Sequence, residues 1–169
     1  MTTITEGKLI FSFPSTYQAS QYDEWSFYRN QFQSVAGGCK AVDILCGDAR
    51  VAWLIEVKDY RCHPRTKPTS IADELTIKAR DTLAGLAVAA KVASVASEQQ
   101  QARTSLRSNK WRIVLHLEQP SLTSRLRPKP LDIATLLQKL RTKKLKAVDV
   151  RPIICDQTDC HKYVPWTVQ

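Results

Sequence analysis

The stretch KAVDILCGDARVAWLIEVKDYR, residues 40–61, decides the fold of this chain. Two apolar runs, 41–46 and 51–57, flank a short segment with turn-forming residues at 47–50. Apolar runs of this length on either side of a Gly-Asp turn are typical of a β-hairpin. The sequence therefore predicts two paired, largely buried strands at the centre of the molecule.

Three charged residues, Asp43, Glu56 and Lys58, lie in these apolar strands. Burial of an ionised side chain is costly unless the group is paired or binds a metal. Side chains alternate along a strand, so Glu56 and Lys58 share one face. An even-numbered hairpin loop places Asp43 opposite Leu54, so the two carboxylates become diagonal neighbours, roughly 5–8 Å apart at their Cβ atoms. We expect one patch that holds two carboxylates and an ammonium group.

Asp43 followed, after a gap of twelve residues, by Glu56-Val57-Lys58 resembles the signature of the PD-(D/E)XK nuclease superfamily, which includes restriction-type endonucleases and Holliday-junction resolvases. Position 42 is valine where the signature has proline. The resemblance covers residues 15–117 loosely. It implies a single α/β domain of the restriction-endonuclease-like kind, with a mixed central sheet flanked by helices on both faces. Residues 118–169 then add a helix, a strand and a tail.

The resemblance also implies a chemistry. Asp43, Glu56 and the Val57 carbonyl would bind Mg²⁺ or Mn²⁺, and Lys58 would serve as the catalytic lysine in hydrolysis of DNA phosphodiester bonds. Glu24 is the candidate that completes the site; the alternative is a solvated acid near a helix start. Small members of the superfamily often act as homodimers, so a homodimer is implied.

Two alternatives to an active DNA nuclease remain open at the level of sequence. One is a catalytically silent nucleic-acid-binding or scaffolding module with the same fold. The other is a nuclease that needs a partner subunit. An active enzyme should lose divalent-metal binding in Asp43→Ala, whereas a silent module should keep salt-sensitive affinity for DNA without metal.

The formal charge of +9 over 169 residues points to a polyanionic partner, most simply DNA. A basic but uninvolved surface, or a solvated basic loop, is the alternative. The cations expected to contact a phosphate backbone are Arg61, Arg65, Lys67, Lys78, Arg125 and Arg127.

Periodicity and capping residues predict the remaining elements. They are a strand at 8–13, a helix at 16–34, a long helix that begins after Ser70, a loop at 97–110, a strand at 111–117 parallel to 51–58, a helix at 131–142 and a strand at 148–154.

Five cysteines form an odd set, which favours reduced thiols. Cys62, His63, Cys155, Cys160 and His161 offer an alternative as zinc ligands. The sequence has no apolar run of about 18 residues and no basic-then-apolar start, so we expect a cytoplasmic protein without a membrane partner.

Overall fold

A computed structural model describes residues 1–63, 65–120 and 131–169 of the chain. Its strands are β1 (Thr2–Glu6), β2 (Leu9–Phe13), β3 (Gln18–Gln21), β4 (Ile44–Gly47), β5 (Val51–Asp59), β6 (Lys110–Glu118), β7 (Ile153–Cys155) and β8 (Thr167–Val168). Its α-helices are α1 (Ile71–Val92), α2 (Ala96–Arg107) and α3 (Ile133–Lys139).

A mixed five-stranded sheet in the order β3-β4-β5-β6-β7 forms the centre of the fold. Strand β4 is antiparallel to both β3 and β5, whereas β6 is parallel to both β5 and β7. Helices α1 and α2 connect β5 to β6, because parallel strands need a crossover connection. The predicted parallel pairing of these two strands is confirmed, and so is the α/β class.

The two faces of the central sheet are covered differently. One face, with Leu45, Leu54 and Ile113, packs in a core that includes residues of the three helices. The opposite face, with Ile55 and Val114, packs against the small sheet β1-β2-β8 and against the residues that precede β8 in the chain. Within the described residues the three α-helices thus pack on one face, whereas α-helices were predicted on both faces. The predicted strand at 8–13 is present, but it belongs to the small sheet.

The hairpin β4–β5 forms as predicted, but in a different register. Leu45, rather than Asp43, lies opposite Leu54. The turn begins at Gly47, whose φ is +148° and where an added Cβ would lie 2.1 Å from the Val51 carbonyl oxygen. The register differs by two residues, so Asp43 keeps its face, and continuing the register by one pair brings it opposite Glu56.

The predicted helix at 16–34 is wrong. Residues Gln18–Gln21 form edge strand β3 on β4, and a π-helical turn follows at Tyr28–Phe32. The aromatic spacing that suggested a long helix instead supplies buried rings to the helix-side core. Trp25 holds the end of the strand, because its indole N–H donates to Ser20 Oγ.

The predicted loop at 97–110 is also wrong, because most of it is helix α2. Its polar residues are used internally: Gln101 Nε2 donates to the Leu45 carbonyl, and Glu98 accepts from the Ser26 and Phe27 amides. The helix predicted at 131–142 is confirmed as α3 and the π-helical turn Leu140–Lys144 that continues it, and β7 replaces the longer strand predicted at 148–154. In the described ranges, no helix combines the length and apolar character needed to cross a membrane.

Candidate nucleic-acid interface

Four side chains form the charged cluster: Asp43 just before β4, Glu56 and Lys58 on β5, and Lys78 on α1. The Lys78 ammonium lies 3.1 Å from Asp43 Oδ1 and 2.7 Å from Glu56 Oε1. Lys58 Nζ lies 2.5 Å from the same Glu56 oxygen. The Val57 amide donates to Asp43 Oδ2 at 2.7 Å, which fixes the second carboxylate oxygen. The expected convergence of these charges is confirmed, and α1 adds a second ammonium group.

Glu74 on the first turns of α1 connects this cluster to the loop that precedes the helix. Its carboxylate lies 3.5 Å from Lys58 Nζ and 3.0 Å from both Arg65 and Lys67. Arg65 also donates to the Tyr60 hydroxyl at 2.9 Å. One carboxylate therefore holds three cations together in the structure.

The pKa values in the cluster follow from burial and from the paired charges. Burial, together with the charge on Asp43, raises the pKa of Glu56 to about 7, although both lysines oppose the shift. Burial disfavours the ammonium form of Lys78, but the two carboxylates outweigh it and raise the Lys78 pKa. Burial also opposes ionisation of Glu74, yet Lys67, Lys58 and Arg65 lower its pKa to about 2.

Glu24 does not join the cluster. It pairs with Arg29, and its side chain is 46% exposed. Its neighbour Asp23 is affected by the charge of the cluster: burial first, and then the Asp43 charge, raise the Asp23 pKa to about 6. Burial also raises the pKa of Glu6 on β1, and Asp43 adds to that rise. Nothing in a segment predicted as helix distinguished Asp23 from Glu24, and the residues before β2 gave no signal for Glu6.

The cations predicted to contact phosphate are in different situations. Arg61 forms an ion pair with Asp59, with 2.7 Å between Nη2 and Oδ2, and its Nη1 lies 3.9 Å from Glu118 Oε2. Arg125 and Arg127 lie outside the described residues. Of the loop cations, Lys67 presents the most side chain to solvent, at 65% exposed.

Directly outside the charged cluster is the basic cavity, which has a volume of about 420 Å³. Three ammonium groups and one carboxylate line it, among the residues Lys40, Lys67, Thr69, Glu74, Ile77 and Lys78. Lys40 makes no ion pair within the described part of the chain. The lining is net positive, so the cavity suits an anionic group.

The residues implied as metal ligands are present, but a lysine lies between them. Asp43, Glu56 and the Val57 carbonyl are hard oxygen donors, the type that Mg²⁺ prefers. The buried Oε2 atom of Glu56 has no hydrogen-bond partner among the described residues. Lys78, however, contacts both carboxylates and balances their charge in this arrangement.

The zinc alternative is not assembled in the structure. Cys155 and Cys160 are buried, whereas Cys62, His63 and His161 are exposed. In the ranges the structure describes, no three His, Cys, Asp or Glu side chains are grouped to hold a metal ion.

His116 on β6 is a buried, packed side chain. Its ring lies edge-on to Phe11 and bonds Glu118 at 2.9 Å.

Comparison with known proteins found a similarity along nearly the whole chain. The sequence is 34% identical to the cysteine–tRNA ligase of Neisseria meningitidis over 207 aligned positions. The alignment includes 99% of this chain but only 30% of that protein. No family model matches the sequence, and no solved structure is similar to it.

This similarity overturns the prediction of a metal-dependent DNA nuclease. The relative is named as a ligase of tRNA, an enzyme class that joins rather than hydrolyses, so the prediction of a DNA endonuclease is wrong. The residues that suggested it are nevertheless brought together by the fold, as an ion-paired cluster beside a basic cavity.

Proposed function

We propose that this chain is a nucleic-acid-binding module whose ligand is tRNA. The observation that carries the proposal is the basic cavity, where Lys40 and Lys67 lie beside Lys78 of the ion-paired cluster. The choice of RNA over DNA is supported by the similarity to a cysteine–tRNA ligase along nearly the entire chain. The chain spans 30% of that relative, so the proposal for this chain does not include the ligase activity.

Electrostatics make phosphate the natural ligand of this cavity. Phosphate contacts from Lys and Arg supply much of the affinity of nucleic-acid-binding proteins and position the ligand. Lys40 makes no ion pair among the described residues, and Lys67, although it contacts Glu74, is 65% exposed, so both can contact a phosphate from solvent. A folded RNA such as tRNA presents its backbone and 2′-hydroxyls as a shape, which suits recognition by a basic surface.

The ion pairing of the cluster supports a binding role. The Lys58 ammonium contacts Glu56 and Glu74, and Lys78 contacts Asp43 and Glu56. Each ammonium group is thus held by two carboxylates. Less than one-fifth of each lysine side chain is exposed to solvent. We propose that these lysines stabilise the floor of the cavity while Lys40 and Lys67 contact the RNA.

Fluorescence anisotropy with a labelled tRNA transcript tests the proposal. The wild type should bind tRNA more tightly than a DNA duplex with the same number of phosphates, and the affinity should fall with salt. Lys40→Gln/Lys67→Gln should reduce the slope of log K against log salt by roughly 1.4–1.8, because each phosphate contact contributes roughly 0.7–0.9.

The matched control is Lys8→Gln/Lys162→Gln, which removes the same charge from exposed positions outside the cavity. Its slope should equal that of the wild type. Equal losses in both double variants would show a general charge effect and would overturn the assignment of the cavity.

We also propose that the fold is related to that of the PD-(D/E)XK superfamily. The arrangement that supports this is an antiparallel β3-β4-β5 meander, a crossover helix and the parallel strand β6, with Asp43 and Glu56 at adjacent strands. An experimental structure with β5 and β6 antiparallel would contradict it. The formation of a homodimer and the need for a partner subunit, both suggested by the sequence, stay predictions.

We propose, as a separate property, that Mg²⁺ or Mn²⁺ competes with Lys78 for the two carboxylates. The unpartnered, buried Oε2 atom of Glu56 favours this. Removal of the ammonium in Lys78→Met should tighten Mn²⁺ binding in calorimetry, whereas Glu56→Gln should abolish it. No Mn²⁺ binding by wild type or Lys78→Met would refute the proposal.

A further inference from the structure

A second basic surface lies towards the C-terminal end of α1, whereas the basic cavity lies near its N-terminal end. The α1–α2 cleft has a volume of about 360 Å³, and its lining residues are Ala87, Ala90, Lys91, Arg103, Leu106 and Arg107. Three of these six residues are cations and none is acidic. The cleft is therefore a candidate for an anion that the charged cluster does not explain.

The cations of this cleft are not balanced by protein carboxylates. Lys91, Arg103 and Arg107 take part in no ion pair within the described ranges. Lys91 and Arg107 lie in the last turns of their helices, where a positive charge is favoured by the helix dipole. The helix dipole does not account for Arg103. This residue lies one turn from Arg107, and the two like charges repel each other by roughly 0.2–0.5 kcal/mol.

Arg103 is also held in place at the cleft. Its Nε atom donates to the Ala90 carbonyl at 2.9 Å, so the guanidinium is tied to α1 while the side chain is exposed. A guanidinium with its remaining N–H groups directed away from a fixed Nε contact offers the planar donor set that suits phosphate oxygens.

The cleft and the basic cavity flank the exposed side of α1. From Lys78 in the cavity to Lys91 in the cleft is thirteen residues, or about 20 Å along a helix that rises 1.5 Å per residue. The exposed side between them carries Ile77, Ala84 and Val88. One RNA stem can span this distance, because successive phosphates of a nucleic-acid strand lie only a few ångströms apart along the helix axis.

We propose that the α1–α2 cleft is a second RNA-phosphate site, and that a bound RNA stem crosses the exposed side of α1 between the cavity and the cleft. This inference rests on the proposed function and adds to it the path of the ligand. It assigns Lys91, Arg103 and Arg107 to phosphate contacts on one RNA.

The test compares tRNA binding by Lys91→Gln/Arg107→Gln with the Lys8→Gln/Lys162→Gln control, over a series of KCl concentrations. Arg103 is left intact because it also contacts α1. We expect the cleft variant to lose about tenfold in affinity at low salt and roughly 1.4–1.8 in the salt slope, while the control does not change. Arg107→Lys in place of Arg107→Gln should restore about half of the lost slope, because one of the two removed charges returns.

Three results distinguish the outcomes. A cleft variant with the slope of the wild type, alongside a weakened cavity variant, would overturn this inference and leave the proposed function intact. No tRNA binding by the wild type would overturn both. If polyglutamate at the same charge concentration displaces tRNA from the cleft, the cleft is a binding site for an acidic protein. That result would also overturn the inference.

Discussion

Lys78 determines the charge balance of the cluster at the scale of single residues. Its ammonium is the contact shared by Asp43 and Glu56, and its side chain is 16% exposed. A buried carboxylate that loses its counter-charge retains the desolvation cost without the compensating attraction. The two carboxylates and Lys78 therefore behave as one unit.

Lys78→Met should consequently destabilise the protein strongly. We expect the free energy of unfolding to fall by about 3 kcal/mol at pH 7, because the change leaves Asp43 without its ammonium partner and Glu56 with only Lys58. Urea denaturation measures this. The control Lys146→Met, at an exposed lysine, should stay within about 0.5 kcal/mol of the wild type. Similar stabilities for the two variants would show that Lys78 is not needed as a counter-charge.

Glu74 gives a pH-dependent prediction. Its pKa in the folded protein is about 2, below the ordinary value of 4.5, so its contribution to stability is fully present above pH 4.5 and is lost as the pH falls through 2. Relative to wild type, Glu74→Gln should lose on the order of 1–2 kcal/mol at pH 7, after allowance for solvent screening. The difference should shrink between pH 4.5 and pH 2.

Thermal unfolding at several pH values tests this, with the exposed Glu24→Gln as the control. A stability loss in Glu74→Gln that is the same at pH 3 and pH 7 would mean that the cost comes from packing rather than from the three paired cations.

At the scale of elements, α1 depends on close packing at Gly85. A Cβ at this position would lie 2.2 Å from the Tyr22 hydroxyl oxygen and 3.2 Å from the Phe32 ring. Glycine inside a helix costs roughly 1 kcal/mol relative to alanine. Its presence therefore reflects the approach of the segment between β3 and β4 to the helix.

Gly85→Ala should thus destabilise the wild type by about 1–3 kcal/mol, despite the gain in helix propensity. In a Tyr22→Phe background the same change should cost less, because the hydroxyl that the new Cβ would meet has been removed. A double-mutant cycle in urea measures the coupling. Equal effects of Gly85→Ala in both backgrounds would contradict this packing.

The elements also show what the sequence can predict. The hairpin, its buried charges and α1 follow from alternation, a turn and the Ser70 cap, all of which are local signals. The four-residue strand Gln18–Gln21 and the polar helix α2 depend on partners far along the chain, such as the Ser20–Gln101 hydrogen bond. A local sequence pattern carries no information about partners that lie this far along the chain. For the same reason the sequence indicated Glu24 rather than Asp23.

At the scale of the whole molecule, the fold separates two layers. The small sheet covers one face of the central sheet, and the helices cover the other. The basic cavity and the α1–α2 cleft both include residues of α1. With a formal charge of +9, the molecule is expected to bind a polyanion along this helical side.

The most direct test of this account is to incubate the protein with end-labelled tRNA and Mg²⁺, and to divide each sample between a native and a denaturing gel. The account predicts a shifted band on the native gel and full-length RNA on the denaturing gel. It also predicts a weaker shift for Lys40→Gln/Lys67→Gln. Absence of a shift with the wild type would contradict tRNA binding, and RNA cleavage that disappears in Lys58→Ala would contradict a purely binding role.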